Sequence, residues 1–183
     1  MMMKRNSGFS LIELMVAMVI GLIIILGAGQ LFLTVFQTNR QVETLSEKQT
    51  AVNFAVDILL RDIRRAKWDE TIPSSGSSYD LTLVVTNRGD CASIDPGDDV
   101  DKTYSLGGRT LADGDTEYYL QLDSNCTTGA QELVGGFINN GFEVTAEGDY
   151  GLLVTFSLVP TDGSGTADIL EFFAVNRTAA VTN

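Results

Sequence analysis

Histidine is absent from this 183-residue chain, and cysteine and proline are scarce, at two and three residues. Without histidine there can be no Ser-His-Asp triad, no histidine general base and no histidine-ligated zinc. Two cysteines cannot supply a four-thiolate zinc site or the usual iron–sulfur ligand sets. Three prolines with 18 glycines exclude a collagenous or compositionally disordered chain. The 44% hydrophobic content is that of a globular protein, and the length suits one domain of ~100–150 residues plus an extra segment. Positive charge is also scarce, and unevenly placed. Residues 1–68 carry 8 Lys+Arg against 5 Asp+Glu, or +3, whereas residues 69–183 carry 4 against 19, or −15. So acidic a C-terminal part repels phosphate backbones and anionic lipid surfaces, which argues against nucleic acid as a partner.

Charge of either sign is missing from the 26 residues between Glu13 and Arg40. The apolar heart, Leu14 to Phe36, spans about 35 Å as a helix, enough to cross a hydrocarbon core of ~30 Å. Lys4 and Arg5 precede it, which keeps the short N-terminus cytoplasmic and sends the rest across the membrane. A cleaved secretory signal has a shorter apolar region, ~7–15 residues, followed by a small-residue cleavage site. A plain membrane anchor fits the length but leaves the carboxylate of Glu13 unexplained. An ionised acid at the centre of a membrane helix costs ~2.5–3.5 kcal/mol. Cleavage after Gly8 would create an α-amine on Phe9, one helical turn from Glu13, and a neighbouring subunit's amine would pair with the acid equally well.

The run Gly8-Phe9-Ser10-Leu11-Ile12-Glu13, behind the basic leader Lys4-Arg5-Asn6-Ser7, resembles the signal of type IV prepilins and pseudopilins. That resemblance implies cleavage after Gly8 by a membrane-embedded prepilin peptidase and N-methylation of Phe9. It also implies a role for Glu13 in subunit assembly. Residues 9–67, with Phe54-Ala55-Val56-Asp57 and Leu60-Arg61-Asp62-Ile63-Arg64-Arg65-Ala66, resemble the helix of PilW-type minor pilins. The implied partners are other major and minor pilins through the N-terminal helix, with the inner membrane as host before assembly. The implied location is a single-pass protein of the bacterial inner membrane with a periplasmic C-terminal domain, and then a pilus fibre.

One helix is predicted from Phe9 to about Lys67. After Thr38 it turns amphipathic: Val42, Leu45, Val52, Val56, Leu59, Ile63 and Ala66 recur at spacings of three, four and seven. A stripe lying on the protein's own sheet explains these positions better than a coiled coil, which Thr38 and Gln49 interrupt. Arg61, Arg64, Arg65 and Lys67 crowd the helix end, where the macrodipole favours cations. Gly21, Gly27 and Gly29 mark a soft, closely packable stretch.

Pro73 to Ser78 reads as a loop, and the remainder as antiparallel strands. Tyr79-Leu81-Leu83-Val85, Tyr118-Leu120-Leu122 and Leu152-Val154-Phe156-Leu158 alternate with other residues. Ile169 to Val175 is the predicted hairpin partner of the last, across Thr161 to Gly165. Asn140-Gly141 is a strong tight-turn signal. The predicted fold is α+β: a long N-terminal helix on an antiparallel sheet. Its segments are a leader at 1–8, a transmembrane and assembly helix at 9–38, an amphipathic half at 39–68 and an acidic β domain at 69–183.

Chemistry is sparse. Cys91 and Cys126, exported, are predicted to form a disulfide worth roughly 3–4 kcal/mol in the chain-entropy model, stapling a loop rich in glycine; a pair of free thiols is the alternative. Asp95, Asp98, Asp99 and Asp101, and again Asp113 and Asp115, are oxygen-rich but lack the EF-hand spacing, so solvated acidic loops are expected rather than a metal site. Leu106-Gly107-Gly108-Arg109 is no phosphate loop. No catalytic residue and no cofactor site is predicted. The expectation is a non-enzymatic minor pilin that helps initiate pilus assembly or sits near the tip. The alternatives are a type II secretion pseudopilin, which shares the N-terminal features, and a single-pass membrane protein with a ligand-binding ectodomain.

Overall fold

The computed structural model describes residues 10–68, 77–160 and 165–177. Gly8 and Phe9, Pro73 to Gly76 and Thr161 to Ser164 lie outside them. The chain divides into two compact units, Met1–Glu47 and Lys48–Asn183. A single helix, α1 (Leu11–Arg65), supplies the described part of the first unit and enters the second.

In the first unit the helix is a bare apolar rod. Leu11–Arg40 has a mean hydropathy of 2.7, and none of it is buried. Two of its polar groups bond back to the helix. The Thr34 hydroxyl donates to the Gln30 carbonyl at 3.0 Å and the Thr38 hydroxyl to the Thr34 carbonyl at 2.9 Å, which satisfies both without solvent. Arg40 ends the run with its guanidinium over the Phe36 ring, 4.8 Å from the centroid.

In the second unit the chain continues through β1 (Ala66–Lys67), β2 (Ser77–Ser78), β3 (Leu81–Thr86), β4 (Asp99–Thr110), β5 (Thr116–Ser124), β6 (Gln131–Glu147), β7 (Gly151–Leu158) and β8 (Asp168–Val175). They form one antiparallel sheet of order β1-β3-β4-β5-β6-β7-β8, with β2 set against β6. From β3 onward each strand pairs with its successor, so the sheet is a meander of local hairpins. Alternation selects its inner face: Leu81, Leu83 and Val85 on β3, and Leu152, Val154 and Phe156 on β7, are all at most 1% exposed. Onto this face packs the stripe Val52, Ala55, Leu59, Ile63 and Ala66. Phe156 centres the aromatic core, edge-on to Phe137 and Phe172, each at 5.2 Å.

The structure corrects several expectations. The helix ends at Arg65, and Ala66 and Lys67 pair with β3 instead of completing its last turn. Ser77 and Ser78, assigned to a loop, form β2. Val42 and Leu45, which fall in the first unit, are exposed. The glycine-rich stretch between the cysteines holds the hairpin β4–β5, of which the alternation of Tyr118, Leu120 and Leu122 marked only β5. Gly107 belongs there because Tyr119 lies across it: a Cβ at Gly107 would come 2.5 Å from the Tyr119 ring. Glycine depletion in strands hid β4 from the sequence pattern.

Asn140-Gly141 is not a hairpin turn. β6 runs through it, and residues 138–141 face only Ser157, because Phe137 pairs with Leu158 and Phe142 with Phe156. Asn140 takes a φ of 56°, using the left-handed tolerance that makes Asn-Gly a turn signal. The result is an enlarged bulge at which β6 leaves β5 and takes up β7. A Cβ at Gly141 would collide with the Ser157 carbonyl oxygen and sit 2.8 Å from that of Ile138. We expect Gly141→Ala to destabilise the unit by about 2–3 kcal/mol, as overpacking against fixed backbone does. Urea unfolding checks this, and an unchanged midpoint would show that the bulge relaxes freely.

Candidate functional site

Two constellations stand out, one in each unit. At the start of α1, Ser10 and Glu13 make one half of a capping box, the bond from the acid back to the N-cap amide. The Glu13 carboxylate accepts the Ser10 amide through Oε2 at 3.2 Å, and the Ser10 carbonyl accepts the amides of Glu13 and Leu14 at 3.0 and 3.3 Å. The acid thus lies in the positive first turn of the helix, exposed, and no ion pair to it occurs among the described residues. Beyond it nearly every large side chain from Leu11 to Phe36 is more than half exposed. By length and composition this helix could cross a membrane. Gly8 and Phe9, predicted to flank the cleavage, lie outside the described residues.

In the second unit a buried acid anchors the helix to the sheet. Asp62 is 1% exposed. Its Oδ2 accepts the Tyr104 hydroxyl at 2.7 Å and the Lys102 ammonium at 2.8 Å, and its Oδ1 accepts Arg65 Nε at 3.0 Å. Lys102 and Tyr104 are two apart on β4, opposite Leu83 and Leu81, so one strand presents both donors to one face. Burial, with the nearby Asp62 charge, holds the Tyr104 phenol far above its ordinary range, so it remains a proton donor. Arg65 also reaches Asp90 at 3.0 Å. Burial pulls Arg65 down, yet the hydrogen bond and charge of Asp90, with Asp62, outweigh it and raise its pKa. The same hydrogen bond pulls Asp90 down to about 2. A depressed folded-state pKa means that this contribution is complete above the ordinary carboxylate range and is lost as pH falls toward 2.

Asn176, fully buried just after β8, closes the other side. Its Nδ2 donates to the carbonyls of Ile63 and Ala66 at 2.8 and 2.7 Å, groups that the helix end leaves without partners. Cys91 and Cys126 form a disulfide with 5.5 Å between Cα atoms, tying the chain before β4 to the chain after β5. Asn87 shapes the adjoining loop, donating to the carbonyls of Cys91 and Ile94 and accepting the amides of Gly89 and Cys91.

The acidic runs are dispersed. Asp99 pairs with Lys67 at 2.6 Å, and the Asp101 amide donates to the Asn125 side chain at 3.2 Å. Asp113 and Asp115 form the β4–β5 turn, where the Asp115 amide donates to Asp113 Oδ1 at 3.2 Å. Among the described residues no three metal-ligating side chains converge. Of the basic cluster, Arg61 pairs with Asp57, Arg65 with Asp62 and Asp90, and Lys67 with Asp99. Sequence reasoning missed Asp62, Tyr104 and Asn176. A signal for Asp62 existed: it lies three residues after Leu59, beside Ile63, on the stripe where an acid must be partnered.

A family profile described as a prokaryotic N-terminal methylation motif matches residues 3–29. No curated protein matches the chain, and no solved structure does. The prepilin-type signal and the helix-on-sheet architecture support a type IV pilin-like or pseudopilin-like protein. The signal implies processing by a prepilin peptidase, and with the uncovered apolar helix it fits a membrane-anchored protein that is later assembled into pili.

Proposed function

We propose that this chain is a minor type IV pilin, a non-enzymatic subunit that helps initiate pilus assembly or sits near the tip. On this reading residues 1–8 are the leader, 9–38 the membrane and assembly helix, 39–68 its amphipathic continuation and 69–183 the outward-facing acidic domain. The peptidase cuts between Gly8 and Phe9, Phe9 is N-methylated, and Glu13 neutralises the freed amine of a neighbouring subunit. Other pilins then replace lipid around the apolar face. One juxtaposition carries the reading: a 30-residue apolar helix without cover begins at a lone acid within the matched signal.

Cleavage is testable directly. Mass spectrometry of protein recovered from cells should show a mature N-terminus at methylated Phe9. A large substitution such as Gly8→Leu should leave nearly all of the chain with its leader. A Phe9 terminus in that variant would refute the cleavage assignment.

A further inference from the structure

The two edges of the sheet are unlike. One ends in the two-residue β1, the other in the eight-residue β8. Short edge strands, Lys, Pro and bulges are the usual protections against strand addition. Charged side chains also protect an edge, and β8 carries Asp168 and Glu171, but its eight-residue sequence DILEFFAV lacks Lys and Pro, and it pairs with β7 in unbroken register. Among the described strands β7 is its sole neighbour.

The outward backbone groups can be assigned. The Asn176 amide donates to the Tyr150 carbonyl at 2.9 Å, and the next opposed pair is Val175 with Gly151. In an antiparallel ladder, hydrogen-bonded and non-bonded pairs alternate. Even-numbered residues of β8 therefore bond β7, while Ile169, Glu171, Phe173 and Val175 aim amide and carbonyl away from the sheet. The same four side chains share one face. Three are apolar and uncovered, with Ile169 at 66%, Phe173 at 54% and Val175 at 40% exposed.

We propose that the β8 edge accepts an extended strand from another protein, one that carries Lys or Arg among apolar residues. Strand addition explains an open ladder beside an apolar row. Charge selects the occupant. Residues 110–176 contain eleven Asp or Glu and no Lys or Arg. A second copy would bring Glu171 and its acidic surroundings against their like, whereas a basic strand meets them with opposite charge. The inference does not depend on the pilin reading, because it uses only the sheet edge of the second unit.

The test uses the full chain in detergent micelles and a labelled ten-residue peptide of alternating Val and Lys, read by fluorescence anisotropy. Controls are the same peptide N-methylated at alternate residues and a Val/Glu version. We expect saturable binding of the Val/Lys peptide alone. Glu171→Pro removes one outward amide and spares the β7 ladder; it should weaken binding at least tenfold with an unchanged thermal transition. Should that variant fail to fold, Glu171→Lys keeps the amide and should lower affinity for the Val/Lys peptide at least fivefold. Absence of binding, equal binding of the N-methylated peptide, or full affinity in Glu171→Pro would overturn strand addition. Self-association through β8 in place of peptide binding would overturn the basic occupant.

Discussion

Asp62→Ala is expected to destabilise the second unit by about 3–5 kcal/mol, the usual cost of removing one partner from a buried charge network. The carboxylate accepts from Lys102, Tyr104 and Arg65 together, and the Lys102 and Arg65 side chains are themselves only 15% and 19% exposed. Alanine would take the acceptor from the Lys102 ammonium and the Tyr104 phenol and leave Arg65 with Asp90 alone. At roughly 4 °C per kcal/mol for a unit of this size, Tm should fall by on the order of 10–20 °C. Circular dichroism of the full chain would measure it. Arg61→Ala is the control, since its pair with Asp57 is 64% and 71% exposed and such pairs contribute about 0–1 kcal/mol. A loss for Asp62→Ala no larger than that of Arg61→Ala would mean that the anchor is incidental to the packing around it.

Glu13→Leu should have the opposite profile, sparing the fold and abolishing assembly. The substitution removes an acid from the edge of an apolar run, so membrane insertion becomes easier. The capping bond to the Ser10 amide is lost, which costs on the order of 1 kcal/mol at one helix end. Incorporation into fibres should nevertheless drop at least about tenfold, because leucine cannot neutralise a neighbour's amine. Glu13→Gln keeps the size and hydrogen-bonding capacity of the side chain and should fail as well. Quantifying each variant in membranes and in sheared fibres separates the two effects. Wild-type incorporation of Glu13→Gln would remove charge neutralisation from the proposed function and leave Glu13 as a helix cap.

Much of the fold was legible because it depends on local pattern. The apolar run and the charge gap from Glu13 to Arg40 mark a helix that is not buried among the described residues. Strict alternation exposed β3 and β7, whose inner faces are purely apolar. β4 was not legible. Its inner face carries Lys102 and Tyr104 where an apolar residue would have signalled a strand, and Gly107 and Gly108 interrupt it. Asn140-Gly141 misled for a related reason. The dipeptide specifies a left-handed backbone, and whether that makes a hairpin or a bulge depends on which strands lie on either side.

The sequence by itself determined where the chain is apolar, where it is charged and which segments have period two or 3.6, since these follow from the order of side chains. It therefore settled the long helix, the antiparallel class of the sheet and the basic leader followed by a lone acid at the N-terminus. Only the tertiary structure decided that Asp62 meets Lys102 and Tyr104 some 40 residues away, that Asn176 closes the helix end, and that β8 is an edge strand among the described strands. These are facts of long-range neighbourhood. A side chain's partner across the core depends on strand order and register, which no local pattern encodes.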